Sequence, residues 1–98
     1  MSWQSIIKAP TDSQVREEYL KLKKEIDSYL SNNRMFENEV LNSIEDRLSN
    51  IGQVVFENKE FDLYKQFSKI EDLTDGNSLV QRPLWKLYRM LQWREDLR

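Results

Sequence analysis

Arg82, Lys86, Arg89 and Trp93 recur at steps of four, three and four along "RPLWKLYRMLQW", with Trp85 set among them. Wound as a helix at about 100° per residue, the four lie within about 60° of one another, with Trp85 at the flank. Cations interleaved with aromatics can do two kinds of chemistry. The bases of a single-stranded nucleic acid can stack on the indoles between phosphate contacts. Trp and Arg can equally anchor a protein partner, because these types dominate interface hot spots. A third reading is structural: arginine stacked on Trp93 one turn away contributes about 0.5–1 kcal/mol at an exposed site.

Little else in the sequence offers chemistry. The counts of cysteine and histidine are both 0. Disulfides, thiolate nucleophiles, the usual zinc ligand sets and histidine acid–base work are therefore excluded. Catalysis would fall to Asp, Glu, Lys, Tyr or Ser, and no spacing of these marks a site, so no enzyme and no cofactor are expected. Glu57, Glu60 and Asp62 come nearest to a carboxylate cluster, but their spacing matches no metal-ligand pattern. "TDGN" (residues 74–77) has the look of a calcium loop around Gly76. In that register the first, third and twelfth positions are Glu71, Leu73 and Arg82; leucine cannot ligate and arginine cannot close the site. No metal is expected.

The chain has 98 residues, room for one domain with a single modest core. It is 39% hydrophobic and 33% charged, with only 2 glycines and 2 prolines, too few for the turns of a sheet protein. A net charge of −2 divides into +1 for residues 1–36, −6 for 37–75 and +3 for 76–98. An acidic middle and a basic end suit pairing between neighbouring helices. The isoelectric point near 5.2 argues against nucleic acid. So do the few aligned cations and Asp96 at the edge of the stripe, since phosphate-driven binding needs a broader positive field. A protein partner, or a second copy of this chain, is the leading expectation; single-stranded nucleic acid is the alternative. The longest apolar run is Val54-Val55-Phe56, so no membrane span is expected. The apolar pair Ile6-Ile7 is too small for a signal-peptide core, which points to the cytoplasm.

The elements that must position these residues are helices. Thr11 and Gln14 have capping-box spacing, and Val15, Tyr19, Leu22, Ile26 and Tyr29 then form a stripe about 80° wide. The spacing predicts a first helix over about 12–31, closed by "SNN". A second, about 35–57 with Asn33 as a candidate cap, carries Val40, Ile44, Leu48, Ile51 and Val55. Gly52 interrupts it at a cost of about 1 kcal/mol relative to alanine, yet the stripe stays in phase across the glycine. The pattern then slips near Asn58–Glu60 into a third helix, about 60–73, with Leu63, Phe67 and Ile70. Pro83 suits a first turn, so the last helix runs over about 82–96, with Leu84, Leu87 and Leu91 inward and "NSLVQ" before it as an approach segment able to add a turn of its own. The expected architecture is an all-α, up-and-down bundle of three to four helices over residues 11–98, preceded by an arm over 1–10.

The arm, "MSWQSIIKAP", resembles the opening of many small uncharacterised proteins of marine tailed phages and archaea, with Met, Trp and an Ile-Ile-Lys pattern. The resemblance covers residues 1–10 and implies a viral or microbial accessory protein. It carries no activity, ligand or catalytic residue.

Overall fold

A computed structural model describes residues 9–32 and 36–96. Four helices follow in order: α1 (Asp12–Asn32), α2 (Asn38–Glu57), α3 (Leu63–Leu73) and α4 (Ser78–Asp96). No strand occurs among the described residues. The expected all-α class is therefore correct.

Each boundary has a local cause. At the start of α1 the capping box forms in both directions. The Gln14 N–H donates to Thr11 Oγ1 at 3.2 Å, and the Thr11 N–H donates to Gln14 Oε1 at 2.9 Å. The second helix begins at Asn38, later than the expected 35, with Glu37 extended as its N-cap at φ −69° and ψ 150°. Phe36, just before the cap, packs on the Tyr29 ring of α1 at 5.5 Å between centroids, outside the helix that follows. Asn33, the candidate cap, lies outside the described residues. Asn58 closes α2 in the left-handed region at φ 55°, with its N–H turned back to the Gln53 carbonyl. The third helix also starts late, at Leu63 rather than 60, because the Asp62 carboxylate caps it by accepting from the Lys65 N–H at 3.1 Å. In "TDGN", Asp75 (φ 52°) and Gly76 (φ 62°) are both left-handed, and they reverse the chain into α4.

The last helix departs most from the sequence reading. It begins at Ser78 instead of 82, and Pro83 lies inside it. Asn77 Oδ1 accepts from the N–H groups of Leu79 and Val80 at 3.0 and 3.3 Å, which caps the helix a full turn early. Val80 is 1% exposed, so burial fixes that extra turn. Pro83 leaves the Leu79 carbonyl without its helical donor. Leu79 is 64% exposed, so the loss falls on the water side of the helix.

Contacts run α1 to α2, α2 to α3, α3 to α4 and back from α4 to α1, which closes the bundle into a ring. Neighbours are antiparallel. Arg94 reaches Asp12, Lys86 reaches Glu18, and Tyr29 meets Asp75 at the opposite end of the α1–α4 pair. Val15, Leu22, Ile26, Ile44, Ile51, Phe67, Ile70, Leu84 and Leu87 are fully buried in one cluster. Val54 and Val80 join it beyond the expected set, while Val40, expected in the core, is half-buried at its edge. Gly52 faces Tyr19 closely: a Cβ there would stand 2.8 Å from the phenol oxygen. The phenol O–H donates to the Leu48 carbonyl at 3.1 Å. The glycine is the space through which Tyr19 reaches α2, an advantage that offsets its helix cost.

Candidate interaction face on the last helix

Leu84, Leu87 and Leu91 turn α4 inward, so the helical period carries Arg82, Arg89 and Trp93 to the opposite side. Arg82, Lys86, Arg89 and Trp93 are all exposed, Trp93 at 38%. With Gln81, Trp85 and Met90 they line an open groove of about 580 Å³. Four of the five residues singled out by spacing thus share one exposed face, and Trp85 forms its wall.

Trp85 is held in place from behind. Its ring packs on Tyr64 and Phe67 of α3, each at 6.3 Å between centroids, and on Tyr88 at 5.3 Å. Its indole N–H donates to Glu71 Oε2, which also accepts from the Gln81 amide at 3.3 Å. Tyr88 meets Phe67 at 5.4 Å edge-on, which extends the aromatic cluster along the α3–α4 seam. Trp85 therefore serves the fold and the groove at once.

The three cations are not equivalent. Lys86 Nζ lies 3.4 Å from Glu18 Oε2, whose residue is only 6% exposed, and Lys21 approaches the same oxygen at 3.9 Å. A buried carboxylate without a counter-charge is costly, so Lys86 is committed to α1. Arg82 and Arg89 have no ion-pair partner among the described side chains. Arg94, one residue past Trp93, faces away from the groove. It donates to the Val54 carbonyl at 2.9 Å and meets Asp12 at 3.4 Å.

Sequence spacing missed Met90, which joins the apolar floor of the groove, and the commitment of Lys86 to Glu18. Met90 was within reach, since it lies about 60° from Trp93 on the helical wheel. Glu18 was not, because the pairing exists only once α1 and α4 come together. The carboxylates Glu57, Glu60 and Asp62 do not converge. Among the described residues no three acidic side chains form a metal-holding group, and Asp62 is spent on capping α3. Burial raises the Tyr19 phenol above its ordinary value of 10.0. Tyr29 is raised too, by burial first and then by the charge and hydrogen bond of Asp75. Tyr19 is pinned between α1 and α2, and Tyr29 lies against Phe36 and the turn at Asp75, rather than either being set in a cleft. Among the described residues no helix is long and apolar enough to cross a membrane.

These features define a small all-α four-helix bundle with an aromatic and cationic face on its last helix. No protein-family model, curated protein or solved structure matches the chain.

Proposed function

We propose that the chain is a non-enzymatic interaction protein that binds another protein through the outer face of α4. One observation carries this reading: a rigidly backed indole, Trp85, lines an exposed groove with Trp93 and two arginines that no described side chain pairs. Fixed aromatic surface costs little ordering entropy on binding, and Trp and Arg are the types that dominate hot spots. Arg82, Trp85, Arg89 and Trp93 are the anchors, and Lys86 borders them while its charge is held by Glu18. The reading places the protein in the cytoplasm as a viral or microbial accessory factor, the setting that the resemblance of its arm implies. Single-stranded nucleic acid has less support, because the commitment of Lys86 to Glu18 leaves too few free cations for counterion-driven binding.

Affinity capture from host lysate tests the reading, with wild type beside a doubly substituted Arg89→Ala, Trp93→Ala chain of unchanged helicity. Wild type should retain specific proteins that the variant loses. Equal capture by both would reduce the face to the solvated back of a helix.

A further inference from the structure

Resting on that reading, we infer that the occupant of the α4 groove is an acidic amphipathic helix of another protein, with two carboxylates seven residues apart flanking apolar side chains. The argument is one of charge complementarity and spacing. No acidic residue lines the groove, although the chain as a whole carries −2. Arg82 and Arg89 stand one heptad apart, about 10.5 Å along the helix at 1.5 Å per residue. A second helix laid along α4 repeats that distance between its own positions i and i+7. Its carboxylates meet the two guanidiniums, which favour planar acceptors. Its i+3 and i+4 side chains then fall on Trp85, and apolar side chains within the turn beyond the carboxylate on Arg89 fall on Met90 and Trp93, in a volume of about 580 Å³ that suits a few aliphatic groups.

A second copy of this chain fits poorly. Across a two-fold axis centred on α4 the cationic face would oppose itself. A nucleic acid strand could engage only Arg82 and Arg89 without breaking the Lys86–Glu18 pair, and two phosphates give a weak, shallow salt dependence.

The test is selection of a displayed library of amphipathic helical peptides against the full chain. Enriched peptides are then titrated by fluorescence polarisation against wild type, Arg82→Glu/Arg89→Glu and Trp93→Ala. A thymidine 20-mer and vesicles containing phosphatidylserine run beside them. The enriched peptides should carry acids seven apart. Their binding should fall about tenfold or more on the double charge reversal, and peptides with lysine at the two acidic positions should bind the reversed variant better than wild type. Enrichment of neutral or basic peptides overturns the acidic occupant. So does tighter binding of the oligonucleotide or vesicles, or self-association that the charge reversal abolishes. Binding lost on Trp93→Ala but untouched by the charge reversal sinks the acidic occupant and leaves the protein-binding face standing. Peptide binding indifferent to all three substitutions removes both.

Discussion

Gly52 and Tyr19 show how one contact decides between opposing effects. Alanine at Gly52 would gain about 1 kcal/mol of helix propensity, but its Cβ would stand 2.8 Å from a phenol oxygen that cannot withdraw without losing Leu48. Overpacking of this kind costs about 1–3 kcal/mol, so Gly52→Ala should be net destabilising. In a Tyr19→Phe background, where the oxygen is gone, the same change should cost less or turn favourable; urea melts of the four chains would show the coupling. The phenol also sets an alkaline limit. Its folded pKa lies above the ordinary 10.0 because burial disfavours the phenolate. The stabilisation is therefore whole below about pH 10 and lost as pH rises through the folded value. Wild type should lose more stability between pH 9 and 11.5 than Tyr19→Phe does, and equal losses would contradict this. The two tryptophans of the groove should separate as well. Trp93→Ala should change stability by about 0.5 kcal/mol or less, whereas Trp85→Ala should cost about 3 kcal/mol through its packed ring and the stranded Glu71.

Helix ends depend on side chains that come from elsewhere as well as from their own sequence. The Val54 carbonyl lies in the last turn of α2, where no helical N–H follows, and Arg94 supplies the missing donor from α4. The same guanidinium faces Asp12, but that side chain is 71% exposed and the pair contributes about 1 kcal/mol at most. Arg94→Ala should therefore cost about 1.5–3 kcal/mol and Asp12→Ala well under half of that, as thermal unfolding would measure. A reversed order would mean that the ion pair, not the cap, is what matters. A local cap makes an end legible in the sequence where no stronger signal competes with it. The Thr11–Gln14 box and the "TDGN" turn could be read directly, because every partner lies within a few residues. The start of α4 was misplaced although its Asn77 cap is local: Pro83 favours a first turn and drew the boundary to 82, while the Asn77 cap and the burial of Val80 set the earlier one. The aromatic–basic face was legible because helical period alone places it. The fixing of Trp85 by Glu71 and of Lys86 by Glu18 was not, since both need helices brought together from distant parts of the chain.

For the molecule as a whole, the order of helices around the ring matters as much as their contents. The first helix packs more extensively on α4 than on α2, its neighbour in sequence. During synthesis, α1 leaves the ribosome long before its main partner exists. At about 5–20 residues per second, the delay between Asn32 and Asp96 is on the order of ten seconds. Through that interval Val15, Leu22 and Ile26 have at most α2 to cover them. Closure of the bundle therefore waits on α4, and until that helix emerges Val15, Leu22 and Ile26 are the surface that a chaperone shielding apolar helix faces would recognise.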